Sequence, residues 1–171
     1  MNRLNKRTRQ YVGLLAAVVA YYLIHEGAHL LYALWVGAFK RIKFMSLGMQ
    51  VDIYAEKLSP TQLGVFCFLG SVATLLFAYI LIALIRKISK LSSKTLKACA
   101  YYITLALMLI DPLYLSVLCG FFGGGDMNGI SLIIPQALAR ILYGVILVIN
   151  LIIFIKIVLP RYKSAFANDT Q

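Results

Sequence analysis

The chain has 171 residues, of which 61% are hydrophobic and 13% are charged. Soluble globular domains are about 45–50% apolar and about 25% charged, so this composition excludes an ordinary water-soluble domain and indicates a protein of the lipid bilayer. The 17 Lys and Arg and 6 Asp and Glu residues give a formal charge of +11, but the cations lie between long apolar runs, as in MNRLNKRTRQ and RKISKLSSK. This placement suits anionic lipid headgroups and leaves no basic surface for a nucleic acid.

Four apolar runs are each long enough to form a membrane-spanning helix, which needs about 20 residues to cross a hydrocarbon core of about 30 Å. The predicted spans cover about residues 11–39, 63–85, 98–119 and 137–159. The chain is too short for a membrane bundle plus a second folded domain, so residues 1–171 are expected to form a single domain. The predicted fold class is an all-α polytopic membrane protein. The C-terminal segment SAFANDTQ has little to bury and is predicted to be disordered.

The distribution of Lys and Arg predicts the orientation of these spans. Twelve of the 17 cations lie in residues 1–10, in residues 86–97 and from Lys156 onward, three segments that share one side of the membrane if the spans alternate. Four lie in residues 37–60 and none in residues 120–136. Because cytoplasmic loops have an excess of Lys and Arg, we expect both termini on the cytoplasmic side of a bacterial-type plasma membrane.

Residues 40–60, KRIKFMSLGMQVDIYAEKLSP, differ from the apolar runs on either side. Apolar and more polar residues alternate before and after Ser46-Leu47-Gly48, a pattern typical of a short β-hairpin that turns near the glycine. A two-stranded ribbon is marginally stable alone, so we expect it to lie against the helices or at the membrane interface. Its open edge has backbone groups that can pair with another extended strand.

Both histidines of the chain lie in one pentapeptide, HEGAH, inside the first apolar run. Residues four apart lie about 40° apart around a helix and about 6 Å along it, so His25 and His29 can direct both imidazoles at one metal ion. Glu26 then projects beside them, where it can take a proton from water. Three ionisable groups at membrane depth are costly without a partner such as a divalent cation. The alternative is a polar packing cluster or a proton path.

A catalytic zinc site needs a third protein ligand, and the candidates at membrane depth are Asp111 and Asp126. Asp126 follows the glycine run 123–125, whose irregular backbone can approach the histidine helix closely, and it is the favoured ligand. Asp111 precedes Pro112 and is interpreted as a residue that contacts substrate, supports a ligand or hydrogen-bonds at a helix kink, with ligation the less favoured alternative. Asn128 either orients a ligand or binds substrate backbone, or it caps the following segment.

These elements together resemble the site-2 protease family of intramembrane zinc metalloproteases. The resemblance rests on HEGAH in the first span, the hairpin-like segment after it and the downstream aspartate in GGGDMNGI, and it covers about residues 11–135. It implies one catalytic Zn²⁺ held by His25, His29 and Asp126, with Glu26 as the general base. Iron(II) or cobalt would bind the same ligand set.

The second motif departs from the family pattern, in which an asparagine and a proline precede an aspartate that is followed directly by glycine. Here Asp111-Pro112 lies upstream, and Asp126 is followed by Met127-Asn128-Gly129. The resemblance is therefore to a small, divergent member without the PDZ and CBS domains of larger ones.

The expected activity is that of a zinc metalloendopeptidase that hydrolyses a peptide bond in or near a transmembrane segment. Its expected partners are a membrane-anchored protein substrate and the lipid bilayer, and the sequence is also compatible with a homo-oligomer. The alternative function is a non-catalytic membrane scaffold or a metal-ion carrier that retains the HEGAH metal site. Few polar residues line the spans, which favours the enzyme over a transport pathway.

Overall fold

The computed structural model describes residues 5–45 and 48–167. Four helical segments within these residues are long and apolar enough to cross a membrane, and a two-stranded hairpin follows the first of them. The predicted fold class is therefore confirmed. In chain order the elements are α1 (Lys6–Trp35), β1 (Phe39–Met45), β2 (Gly48–Ile53), α2 (Pro60–Ala83), α3 (Ile85–Ser89), α4 (Lys94–Ser116), α5 (Asp126–Ile130), α6 (Gln136–Ile153) and α7 (Leu159–Ala167). A π-helical turn, Phe154–Val158, joins α6 and α7 into one segment.

The first predicted span, residues 11–39, is divided between a helix and a strand. α1 ends at Trp35, and Gly37 has a φ of 69°. Glycine adopts this left-handed conformation without the steric cost that other residues have, so the chain turns after the helix and enters β1 at Phe39. The apolar run continues across this turn, which is why the predicted span was too long.

Serine caps start the second and third spans earlier than the predicted residues 63 and 98. The Ser59 hydroxyl accepts a hydrogen bond from the Gln62 N–H, and the Gln62 side chain accepts one from the Ser59 N–H. This capping box satisfies two backbone donors that have no partner inside α2. The Ser93 hydroxyl caps α4 in a similar way by accepting from the Leu96 N–H. At its other end α4 stops at Ser116, before the predicted residue 119.

The fourth helical segment runs past the predicted end at residue 159 and reaches Ala167. The predicted disorder of SAFANDTQ is wrong for residues 164–167, and residues 168–171 lie outside the described part of the chain. Ala165 is buried, and its carbonyl accepts a hydrogen bond from Nζ of Lys97, which is itself 1% exposed. A lysine near a helix C-terminus satisfies a carbonyl that has no helical donor, so α4 holds the end of α7 in place.

The hairpin is antiparallel and lies on the bundle. Phe44 pairs with Met49 and Ile42 with Val51, and the predicted turn residues Ser46 and Leu47 lie outside the described residues. β2 packs more closely on α1 than β1 does. The Val51 side chain is buried in the same apolar cluster as side chains of α1, α2 and α5. This packing anchors a ribbon that would be marginal alone.

α4 packs against α1, α2 and α6 and contains a proline. Pro112 has no N–H, so the carbonyl of Met108 loses its helical donor. The side-chain amide of Asn150 in α6 is fully buried and donates to this carbonyl at 2.6 Å. The Tyr79 hydroxyl of α2 donates to Asn150 Oδ1 at 2.6 Å. The backbone defect of α4 is thus satisfied by α6, and one asparagine ties three spans together.

Large apolar side chains on the outer faces of the spans are exposed. Leu15 and Leu23 of α1 are 66% and 61% exposed, and Ile141 and Val148 of α6 are 63% and 56% exposed. An apolar surface of this extent is unfavourable in water and suits contact with lipid. The structure therefore fits an integral, multi-pass membrane protein, while the orientation of the termini stays a prediction.

Candidate metal centre

Three side chains from distant parts of the chain converge in the bundle. His25 and His29 lie one turn apart on α1, both are buried, and their Nε2 atoms are 3.2 Å apart. Oδ2 of Asp126, the first residue of α5, lies 3.1 Å from Nε2 of His25 and 3.5 Å from Nε2 of His29. These three atoms form a compact triangle, and within the described residues the trio is a group that could hold a metal ion.

The glycine run before Asp126 shapes the loop that delivers it. Gly123, Gly124 and Gly125 have φ angles of 82°, 85° and 47°, a region that other residues rarely adopt. The side-chain amide of Asn128 donates to the Gly123 carbonyl at 3.1 Å, and its Oδ1 would lie 2.2 Å from a Cβ added at Gly124. The irregular backbone predicted before Asp126 is present. Asn128 bonds to the loop before Asp126, and its roles in ligand orientation, substrate binding or capping of the following segment stay predictions.

Nδ1 of each histidine ring also has a hydrogen-bond partner. Nδ1 of His29 lies 2.8 Å from the Phe66 carbonyl oxygen, which can only accept, so Nδ1 has the proton and a neutral ring has its lone pair on Nε2. Nδ1 of His25 lies 3.2 Å from Oδ2 of Asp111, and an ionised carboxylate likewise only accepts. In neutral rings protonated on Nδ1, both Nε2 lone pairs point into the triangle, as they do in metal-binding histidines.

Asp111 lies on the opposite side of the His25 ring from Asp126. It is 1% exposed and accepts hydrogen bonds from the Tyr21 hydroxyl on α1 and the Thr74 hydroxyl on α2, each at 2.5 Å. Three donors offset the cost of burying a carboxylate in an apolar bundle. Its contacts are those of a residue that orients His25, one of the interpretations open from the sequence. Tyr21 precedes His25 by one helical turn, a spacing that could have indicated the contact, whereas no local pattern marks Thr74.

Gly70 of α2 faces the ligand atoms directly. A Cβ at position 70 would lie 2.6 Å from Nε2 of His29 and 2.7 Å from Nε2 of His25, far inside van der Waals contact. The space beside these two nitrogens therefore exists because residue 70 has no side chain. The sequence alone marks Gly70 only as one of several small residues that let helices pack closely.

The Glu26 side chain extends from α1 to the hairpin. Its Oε2 accepts a hydrogen bond from the Val51 N–H at 2.9 Å. Val51 is paired with Ile42 of β1, yet its N–H points away from that strand and towards the helix. The outer edge of β2 is thus beside the carboxylate that immediately follows His25 in sequence.

The geometry and chemistry of the trio fit a divalent cation. Zinc bonds to imidazole nitrogen and carboxylate oxygen of about 2.0–2.1 Å in a tetrahedral site place neighbouring ligand atoms about 3.3 Å apart. The observed separations of 3.1, 3.2 and 3.5 Å are close to this value. With both rings neutral and protonated on Nδ1, two lone pairs and a carboxylate face one another, an arrangement that a cation among them stabilises.

The carboxylate of Asp126 suits this role. The side chain is 22% exposed, compared with 10% for His25 and 3% for His29. The centre therefore opens on the Asp126 side, where a further ligand can approach.

The predicted residues divide into three groups by position. His25, His29 and Asp126 form the cluster, Glu26 bonds to the Val51 N–H of β2, and Asp111 bonds to Nδ1 of His25. Asn128 bonds to its own loop. Together they place the candidate cation site, the Glu26 carboxylate and the outer edge of β2 on or against α1. Comparisons with protein-family models, with curated proteins and with solved structures find no match for this chain.

Proposed function

We propose that the protein is an intramembrane metalloprotease that hydrolyses a peptide bond in or near a transmembrane segment of a membrane-anchored substrate. The observation that carries the proposal is the convergence of His25, His29 and Asp126, with Glu26 next to His25 in sequence and bonded to the edge of β2. In a packing cluster, a His25 ring protonated on both nitrogens would donate to Asp111 and Asp126, whereas in a metal site both Nε2 atoms are unprotonated and bind the cation.

His25, His29 and Asp126 would hold one divalent metal ion, and Zn²⁺ suits two imidazoles and a carboxylate. When bound, the ion supplies Lewis-acid polarisation of the scissile carbonyl and of the attacking water. Asp111 and the Phe66 carbonyl hold the two rings in the orientation that this ligand set requires.

Glu26 is the proposed general base. It takes a proton from the attacking water and returns that proton to the leaving amine. The Val51 N–H holds Oε2 of Glu26, so Oε1 is the oxygen that we assign to proton transfer. A backbone donor in a packed strand fixes the carboxylate without introducing a competing proton source.

We assign the hairpin to binding of the unwound substrate segment. A transmembrane helix satisfies its backbone groups internally, so the scissile peptide is hidden until the helix is locally unwound. Apart from the Val51 N–H, which Glu26 accepts, the outer edge of β2 can pair with the extended segment and replace hydrogen bonds that unwinding breaks. Substrates whose helices contain Gly or Pro near the cleavage site should be preferred, because those helices unwind at lower cost.

Mass spectrometry of new peptide termini in the membrane proteins of cells that express the chain tests this proposal. Cells with the wild-type chain should contain termini, within or near predicted spans, that are missing from cells with Glu26→Gln. The purified Glu26→Gln protein should bind as much zinc as wild type, because Glu26 is not a ligand. Identical termini in both cultures, with both proteins folded and loaded with zinc, would overturn the protease and favour the scaffold or carrier.

A further inference from the structure

We propose that, in the protease reaction on which this inference rests, the Tyr114 hydroxyl donates a hydrogen bond to the scissile carbonyl oxygen of the substrate. Tyr114 lies near the end of α4 and belongs to none of the motifs that indicate the metal centre. It follows Asp111 by three residues, so the two side chains leave neighbouring turns on one face of the helix.

The proposed reaction places negative charge on the carbonyl oxygen. Addition of water moves an electron pair from the C=O bond onto this oxygen, and Glu26 takes the water proton, so the charge persists until the C–N bond breaks. A donor that is in place before this charge develops lowers the reaction barrier. Ionised Glu26 and Asp126 only accept hydrogen bonds, and the Nδ1 protons of His25 and His29 already have acceptors. The residues assigned so far therefore supply no free donor.

Four other hydroxyls near the centre already donate their protons. Their acceptors are the Asp111 carboxylate, two backbone carbonyls or hydroxyls of α2. The four hydroxyls are those of Tyr21, Thr74, Ser71 and Tyr143. Because Ser71 donates to a carbonyl, its oxygen accepts from Tyr143. The side-chain amide of Asn128 is exposed and donates to the Gly123 carbonyl of its own loop.

The Tyr114 hydroxyl lies against the loop that presents Asp126. A Cβ added at Gly125, the residue before Asp126, would lie 2.5 Å from Oη of Tyr114. Within the described residues this hydroxyl has no hydrogen-bond partner, and the enclosed side-chain hydroxyl that lacks one there is that of Tyr162. The Tyr114 hydroxyl is therefore uncommitted and accessible, beside the ligand through which the centre opens.

The ring of Tyr114 is held in place by packing. It is partly buried and lies against the apolar cluster that includes Leu115, Cys119 and Met127. A ring packed in this way has little freedom to move. The donor is thus in position before the reaction begins, as stabilisation of a developing charge requires.

Tyr32 is the alternative donor near the histidines. It follows His29 by three residues, and its hydroxyl also has no hydrogen-bond partner in the part of the chain that the structure describes. Its ring makes edge contact with Trp35, the last residue of α1, at a centroid separation of 5.7 Å. The atoms nearest to a Cβ at Gly125 all belong to Tyr114. Tyr32→Phe is therefore a matched loss of an unpaired hydroxyl.

Isothermal titration calorimetry of the full, zinc-loaded chain in detergent micelles tests the proposal with two probes. N-phosphoryl-leucyl-phenylalanine presents a tetrahedral anionic group in place of the charged carbonyl, whereas benzyl mercaptan binds a metal through sulfur alone. Tyr114→Phe should bind the phosphoryl probe about 10- to 100-fold more weakly than wild type, because one hydrogen bond to a charged group is lost. Its affinity for the thiol and its zinc content should equal those of wild type, and Tyr32→Phe should match wild type with both probes.

The outcomes separate this donor from the protease function. Equal binding of the phosphoryl probe by wild type and Tyr114→Phe would overturn the role of Tyr114 and leave the protease proposal standing. Equal weakening of both probes would show that Tyr114 only supports the loop, and weakening in Tyr32→Phe instead would assign the donor to Tyr32. A wild type that takes up no zinc, or that binds neither probe when loaded, would overturn the proposed function and this donor with it.

Discussion

Two aspartates reach the same histidine from different kinds of backbone. Asp111 lies inside the regular helix α4 and contacts Nδ1 of His25, whereas Asp126 follows three glycines with positive φ and contacts Nε2. The helical aspartate is buried and surrounded by donors, and the loop aspartate is partly exposed and faces a second imidazole. The two residues are of the same type, so the difference in burial and contacts comes from the backbone that presents each of them.

The largest expected effect comes from filling the space beside the Nε2 atoms of His25 and His29. Gly70→Ala would place a Cβ 2.6 Å from Nε2 of His29, so we expect loss of bound metal from the purified protein, measured as zinc per chain. Gly27→Ala is the matched control, because a Cβ there has no atom within 4 Å and the three candidate ligands are unchanged. Full zinc content in a folded Gly70→Ala protein would contradict the assigned ligand geometry.

A substitution at Gly124 is expected to disturb the loop that presents Asp126. Alanine there must adopt a φ of 85° and would clash with the Asn128 side chain at 2.2 Å, so Asp126 should shift. We expect zinc affinity, measured by competition with a chelator, to fall about 10- to 100-fold, as when groups that support ligands are altered. Gly123→Ala has nearly the same φ but no atom within 4 Å of its Cβ, so it isolates strain from the clash. Equal losses would show that the clash is unimportant.

The helix that contains Asp111, α4, depends on Asn150, which donates to the carbonyl that Pro112 leaves without a helical donor. Asn150→Leu would leave the Met108 carbonyl and the Tyr79 hydroxyl without this partner in an apolar interior. We expect the free energy of unfolding to fall by about 1–3 kcal/mol, measured by denaturation in mixed micelles. The control is Ile149→Leu, at a lipid-facing position that is 47% exposed. Equal stability of the two variants would contradict a stabilising role for Asn150.

The smallest effect is expected from one donor to Asp111. Thr74→Val removes a hydroxyl that bonds to Oδ2 of Asp111 and keeps the shape of the side chain. A single hydrogen bond to a charged group contributes about 1.5–3 kcal/mol, part of which reaches the His25 ring, so we expect zinc affinity to fall severalfold. Thr104→Val is the control, since the Thr104 hydroxyl bonds to the Ala100 carbonyl of its own helix. No change in affinity relative to Thr104→Val would argue against the orienting role of Asp111.

Much of this organisation is visible in local sequence patterns. The spacing of His25 and His29, the glycine run before Asp126 and the alternation around Gly48 each act within a few residues, so they could be recognised without a structure. The four spans follow from apolar length alone. Their ends were predicted less well, because a glycine turn such as that at Gly37 does not interrupt the apolar run.

The remaining features depend on packing between distant segments. Gly70 resembles other small residues on α2, and only the approach of α1 shows that it faces the two imidazoles. The Val51 N–H reaches Glu26 because the hairpin folds back on α1, and Asn150 meets Met108 across two spans. Sequence periodicity contains no signal for such pairs, so these contacts could not be predicted from the chain alone.

The central claim is that Asp126 is a metal ligand and Asp111 is not. Zinc per chain in purified wild type, His29→Ala, Asp126→Asn and Asp111→Asn tests it most directly. We predict about one zinc in wild type, loss in His29→Ala and Asp126→Asn, and retention in Asp111→Asn with about 10- to 100-fold lower affinity. Loss in Asp111→Asn with full content in Asp126→Asn would contradict the assignment, and a folded wild type that takes up no zinc when it is supplied would contradict the metal centre.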